Sequence, residues 1–309
     1  MTLKHSIWRA HIALLLVNML YGAGHILAKG VMPAFLTPTT FIFFRILGAT
    51  LLFWLIKAFL PKERIQRKDI GLFMLCALFG VTINQLFFFH GLSLSSSINS
   101  GIIMTTNPIL VTIIAYFLLK EKITTTKVTG IVLGATGAIL LSLAGNTGKG
   151  DSTLGDLFLF INAASYAVYL VIAKPLMQRY SPFTVITYVF TFGLFYMLIY
   201  PPTYIDIVQI DFSAIHSIIW AKITYIVIGV TFFTYLLTMY GLKYVGPSVA
   251  SAYIYTQPVL VMGFAYLFSL LGVADDYTNT ITLEKIGYML MIFTGVWITA
   301  YYGKKNRDK

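Results

Sequence analysis

Thr106-Asn107-Pro108-Ile109-Leu110-Val111 returns 150 residues later as Thr256-Gln257-Pro258-Val259-Leu260-Val261. In both copies an amide side chain stands before a proline, and an apolar run follows. Ala115-Tyr116 returns as Ala265-Tyr266 and His90-Gly91-Leu92 as Tyr240-Gly241-Leu242, again at 150. Upstream, Gly80-Val81-Thr82 matches Gly229-Val230-Thr231. Tyr21 and Ala28-Lys29 match Tyr166 and Ala173-Lys174 at 145, and Lys127, Thr136 and Gly137 match Lys285, Thr294 and Gly295 at 158. Each match is short, but all fall in one order, so the chain reads as a duplication.

The repeated unit is too apolar for water. Of 309 residues, 58% are hydrophobic and 11% charged, where a soluble domain carries about 25% charged residues. Charge-free runs recur: 19 residues between Arg9 and Lys29, 50 between Asp69 and Lys120, 21 between Lys127 and Lys149, 20 between Lys222 and Lys243. A helical crossing takes about 20 mostly apolar residues. Lipid offers backbone amides no partner, so these runs are helices or closed barrel strands. They lack period-two alternation, which selects helices. Prolines and glycines then place ten spans at 10–28, 36–57, 70–91, 97–119, 126–145, 154–173, 183–200, 219–240, 247–270 and 285–302. The basic start before Ile12–Leu20 has no small-residue cleavage site and reads as a retained first helix. Cys76, the one cysteine, excludes an internal disulfide and reads as a small buried hydrophobe.

Lysine and arginine set the orientation. With the N-terminus in the cytoplasm, 17 of the 22 basic residues fall on that side, in 1–9, 57–68, 120–127, 174–179, Lys243 and the tail 304–309. Lys29, Lys149, Lys222 and Lys285 lie opposite, and Arg45 lies within the second helix. The expected fold is therefore an all-α integral membrane protein of ten transmembrane helices. It has two inverted five-helix repeats, 10–145 and 154–303, and both termini are cytoplasmic. An odd number of crossings per repeat turns the second copy upside down, the arrangement of many carriers with a midplane site. The net charge of +11 is spread over short loops of one face. It points to orientation signals and anionic lipid rather than nucleic acid.

Gly91-Leu92 through Thr106-Asn107-Pro108 to Lys120-Glu121-Lys122, Arg45, and Gly130 to Gly137 carry a resemblance that covers nearly the whole chain as two copies. The chain resembles EamA-type members of the drug/metabolite transporter superfamily. The resemblance implies ten helices, a central cavity and carriage of amino acids, related metabolites or drugs, with export favoured. Leu270-Leu271-Gly272-Val273 replaces the Lys-Glu-Lys element in the second copy, which favours a local role for Glu121.

Polar groups inside the apolar layer are expensive and need partners. Tyr21, His25 and Lys29 share one face of the first helix at four-residue steps, beside Asn18. Tyr166 and Tyr169 form the matching stripe. Asn84, Gln85 and His90 lie on the third helix, Asn107 on the fourth, Tyr235 on the eighth, and Ser251, Tyr255 and Gln257 on the ninth. These are the expected lining of a substrate cavity, with interhelical hydrogen bonding as the competing role. Pro108 and Pro258 are expected as mid-helix breaks opening onto that cavity. Arg45 reads as a structural cation in preference to a substrate contact, because the second helix is peripheral in the family it resembles.

Other functions fit less well. No Walker A spacing occurs, so no ATP site is expected, and no HExxH or Cys/His cluster suggests a metal or other cofactor. No carboxylate lies deep in a span, which favours facilitated passage or exchange over ion coupling. A membrane enzyme acting on lipid and a receptor or scaffold are the alternatives; the first would need a clustered catalytic set, and inverted duplication offers the second no advantage. The expected reading is not an enzyme but a carrier of a small-molecule substrate in the inner membrane. No motif sets its oligomeric state.

Overall fold

The computed structural model describes residues 3–29, 31–32, 35–94, 103–144, 152–210, 212, 215–270 and 283–305. Among them, ten long helices account for most of the chain: α1 (Leu3–Lys29), α2 (Pro38–Lys57), α3 (Arg67–Leu94), α4 (Thr106–Leu119), α5 (Thr125–Leu143), α6 (Thr153–Arg179), α7 (Pro182–Ile199), α8 (Ser217–Val245), α9 (247–270) and α10 (Leu283–Lys305). A short helix, Pro201–Val208, occupies the long segment between α7 and α8. Six of these helices, α2, α3, α6, α7, α8 and α10, have the length and apolarity of a membrane crossing. The outer surface of the helices is apolar: Leu51, Leu55, Phe117, Phe195 and Trp297 are each more than half exposed. In water such a belt would be a liability, whereas in lipid it is the solvated face.

Local chemistry starts the helices as the duplication implies. Thr37 caps α2 by accepting from the Thr40 amide, and Pro38 follows at the first helical position. Ser181 caps α7 by accepting from the Thr184 amide, and Pro182 follows. Both are the preferred arrangement for an N-terminus, a hydroxyl cap and then a proline whose missing N–H is not needed. Each cap also receives a carboxylate as partner. Thr37 donates to Asp206 (2.7 Å), and Ser181 donates to Glu63 (2.9 Å).

Several expectations change. α6 runs past Lys174 to Arg179 with Pro175 inside it. The helix is interrupted beside both prolines, but just upstream of the rings. Pro108 lies in the first turn of a segment that starts at Thr106 behind a turn at Thr105, and Pro258 in the first turn of one that starts at Gln257 behind the tight turn Tyr253–Thr256. A first turn has no use for the proline N–H, so the break lies just upstream of each ring. The side chain of Pro258 lies outside the described residues, as does that of His25. Glu121 accepts from Lys127 (3.1 Å), the local contact expected. It also accepts from Ser248 at the start of α9 (2.8 Å).

Packing between the halves is reciprocal. α1 packs on α8 and α9, and α6 packs on α3 and α4. α2 packs on α8, and α7 on α3. α2 meets α7, α4 meets α9, and α5 meets α10. Counting helices in fives, each of these contacts has its exchanged partner or is its own, the pattern made by two like bodies around a two-fold axis. The α5–α10 crossing is the closest. A Cβ on Gly295 would lie 2.6 Å from the Gly130 carbonyl oxygen and 2.5 Å from the Gly134 nitrogen. Small residues permit this approach, as between transmembrane helices generally.

Candidate functional site

A cavity lined by both polar and apolar side chains opens between the halves, with a volume of about 120 Å³. Its walls are Asn18 and Tyr21 of α1, Asn84, Gln85 and Phe89 of α3, and Asn107 of α4. Asn162 and Tyr166 of α6, Tyr235 and Thr238 of α8, and Gln257 of α9 stand opposite, and apolar side chains such as Leu14, Val230 and Ile254 fill the rest. Helices 1, 3 and 4 thus face their counterparts 6, 8 and 9. α5 and α10 contribute nothing to the lining. From α2, Arg45 alone reaches it.

The two repeated amides make exchanged bonds. Asn107 Nδ2 donates to the Ala163 carbonyl (2.8 Å). Gln257 Nε2 donates to Asn18 Oδ1 (3.0 Å). Asn107 and Gln257 are counterparts at 150, and Asn18 and Ala163 at 145. The broken starts behind them also match: Thr106 Oγ1 donates to the Ile103 carbonyl and Thr256 Oγ1 to the Tyr253 carbonyl, both at 2.7 Å. These hydroxyls take up carbonyls that a regular helix would have bonded.

α3 and α8 present their cavity residues from beside a widened π turn, Leu78–Ile83 in one and Ile226–Phe233 in the other. Both turns contain the repeated Gly-Val-Thr. A π turn shifts the register of all that follows and concentrates at functional sites. Thr231 Oγ1 donates back five residues to the Ile226 carbonyl (2.9 Å). The same oxygen accepts from Arg45 Nε (3.0 Å). Tyr235 donates to the Gly80 carbonyl (3.0 Å) and accepts from Gln85 Nε2 (3.4 Å).

Of the residues expected at the site, Asn18, Tyr21, Asn84, Gln85, Asn107, Tyr166, Tyr235 and Gln257 are brought together here. Four lie elsewhere. His90 Nε2 is hydrogen-bonded to Thr39 Oγ1 (3.3 Å). Tyr169 is fully buried, with its hydroxyl towards the Met239 sulfur (3.5 Å). Ser251 donates to the Ser248 carbonyl (3.1 Å). Tyr255 donates to the Thr105 carbonyl (3.3 Å). The sequence reading missed Phe89, Asn162 and Thr238 as lining, and above all the place of Arg45. Its signal was there, a charge near the middle of a crossing with no acid at helical spacing. Among the described residues, no group of three or more His, Cys, Asp or Glu could hold a metal.

The sequence profile of the EamA-like transporter family matches residues 8–143 and 153–301. Among curated relatives, the uncharacterized transporter YetK of Bacillus subtilis is 26% identical over 68% of this chain and 63% of its own length. The uncharacterized transporter YyaM of the same organism is 26% identical over 65% and 66%. This chain therefore spans a little under two thirds of those two relatives. An uncharacterized transporter of Archaeoglobus fulgidus is 26% identical over 85% of this chain and 89% of its own. One crystal structure of a protein superposes with a TM-score of 0.68 over 98% of each chain at 18% identity, a likeness of fold.

Proposed function

We propose, from the premise that this chain belongs to the EamA-like transporter family of multi-pass membrane transporters, that it carries a small metabolite by alternating access through the central cavity. The substrate is an amino acid or a related amphipathic compound, with export from the cell the favoured direction. The membrane is the inner membrane, crossed ten times. Segments 10–145 and 154–303 are inverted halves, with both termini in the cytoplasm.

The observation that carries this reading is the exchanged hydrogen bonding of Asn107 and Gln257 across the cavity. Two like halves that meet reciprocally at a polar seam can trade conformations. In an inverted pair that trade turns a cavity open to one face into one open to the other. The present volume of about 120 Å³ is below the roughly 300–1,000 Å³ of ligand pockets. Room for a metabolite then comes from movement of the halves. The lysines and arginines of the 57–68 and 174–179 segments supply the orientation.

The test is counterflow in liposomes with a panel of labelled metabolites. Saturable exchange of at least one compound is expected, and Asn107→Ala and Gln257→Ala should each reduce it while leaving the amount of folded protein unchanged. Unchanged flux in both variants removes the cavity from the reading. Labelling single cysteines at positions 4 and 62 in a Cys76→Ala background should modify both from the same side. Modification from opposite sides overturns the topology.

A further inference from the structure

Among the described residues, Arg45 is a buried cation without a counter-ion. It is 5% exposed, and its partners are neutral. Nε donates to the Thr231 hydroxyl (3.0 Å), and the guanidinium carbon lies 4.8 Å from the Phe89 ring centre and 5.6 Å from that of Phe41. Among the described residues, the cavity lining holds no Asp or Glu. The ion pairs among the described residues, Lys127–Glu121 and Arg179–Asp69, do not involve it. Ring faces and one hydroxyl compensate a desolvated guanidinium only in part, and a buried charge ordinarily has an opposite charge beside it.

Two acceptors of the same lining are also unanswered. Gln85 Oε1 and Asn107 Oδ1 are buried without a hydrogen-bond partner. Their orientation is set by their nitrogens. Asn107 Nδ2 is committed to the Ala163 carbonyl. Gln85 Nε2 is committed to the Tyr235 oxygen, whose own proton goes to the Gly80 carbonyl. Turning either amide would set oxygen against oxygen. The cavity thus holds a cation, two free amide acceptors and the unpartnered Thr238 hydroxyl, which is the complement of a molecule bearing an anion and N–H donors.

We propose that Arg45 is the anion-recognition residue of the cavity, binding a substrate carboxylate, while Gln85 and Asn107 accept hydrogen bonds from donors on the same molecule. This rests on the carrier reading and narrows it to small carboxylates with N–H donors. The charge belongs to one half alone. By the offset of 144 that relates Thr37-Pro38 to Ser181-Pro182, the position matching Arg45 is Val189. The ligand therefore binds in one orientation on an otherwise repeated frame.

The test uses the full chain in lipid nanodiscs and follows its thermal unfolding midpoint. The probes are the twenty common amino acids, each beside its α-carboxamide, which keeps size and donors and removes the charge. At least one amino acid should raise the midpoint, and its carboxamide should bind about 10-fold or more weakly, as for loss of a charged hydrogen-bond partner. Arg45→Gln should abolish that preference, and Arg45→Lys should retain it in part, which a purely structural role would not produce. Should Arg45→Gln not fold, the acid–amide comparison in the unchanged protein and in Arg45→Lys decides. The proposal is overturned if no amino acid raises the midpoint, if the carboxamide binds equally, or if Arg45→Gln still discriminates. Counterflow of carboxylate-free compounds alone would leave the carrier standing and remove this assignment. An absence of counterflow for every compound would remove both.

Discussion

Gln85 donates a hydrogen bond to Tyr235, the residue 150 places further along the chain and its own counterpart in the repeat (3.4 Å). Thr105 and Tyr255, again 150 apart, meet in the same way through a carbonyl and a hydroxyl (3.3 Å). A residue touches its own counterpart only beside the axis that exchanges two bodies. These two contacts therefore support the inverted arrangement proposed above.

Tyr235 holds the seam between the halves at two points, so Tyr235→Phe should be costly out of proportion to one oxygen. It strips the Gly80 carbonyl of its donor and Gln85 of its acceptor. Leaving buried polar groups unpaired costs about 1–3 kcal/mol. The expected result is a lower unfolding midpoint in detergent, and an unchanged midpoint would show that neither bond contributes.

The α5–α10 crossing should not tolerate a methyl group. On Gly295 it would meet the backbone of Gly130 and Gly134, which cannot rotate away. Gly295→Ala is expected to destabilise by about 1–3 kcal/mol, the range for overpacking. Gly287→Ala, where a Cβ meets nothing within 4 Å, should leave the midpoint in place.

Glu63 lies outside the crossings and gives the protein an acid-side dependence. Burial pushes its carboxyl upward, but hydrogen bonds from Thr184 and Ser181 and the charge of Lys57 outweigh burial and hold it below the ordinary value of 4.5. A carboxylate with a depressed folded value stabilises above its unfolded value, and that stability is lost as pH falls through the folded one. Unfolding midpoints between pH 6 and pH 3 should therefore fall less steeply in Glu63→Gln than in the unchanged protein. Parallel curves would show that the contact with Ser181 does not couple to folding.

Cys76 is fully buried in α3. A membrane-permeant maleimide should leave the folded protein's mass unchanged and add one adduct after denaturation in SDS. Reaction of the folded protein would mean that this part of α3 opens readily.

How much of this was legible depended on whether a residue repeats. Thr106-Asn107-Pro108 declared itself because its copy keeps the amide and the proline, and both amides do line the cavity. Tyr166 and Tyr169 illustrate the limit. Three residues leave them about 60° apart on a helix, enough for Tyr166 to reach the cavity while Tyr169 packs beneath Gly80. Arg45 has no copy, and the face of α2 that carries it is set by how α2 leans on α8. The π turns were invisible, since Gly-Val-Thr suits an ordinary helix equally well. His90 sits one position past Phe89, but that step turns it from the cavity towards Thr39 of α2.

The exchange of neighbours also bears on how the protein is made. α1 leaves the ribosome first, yet the helices it packs on are α8 and α9, and Asn18 waits for Gln257. A nascent chain that has inserted only its first 143 residues holds polar groups in lipid whose partners are not yet synthesised. That half-built stage is where membrane chaperones and proteases would have their opportunity.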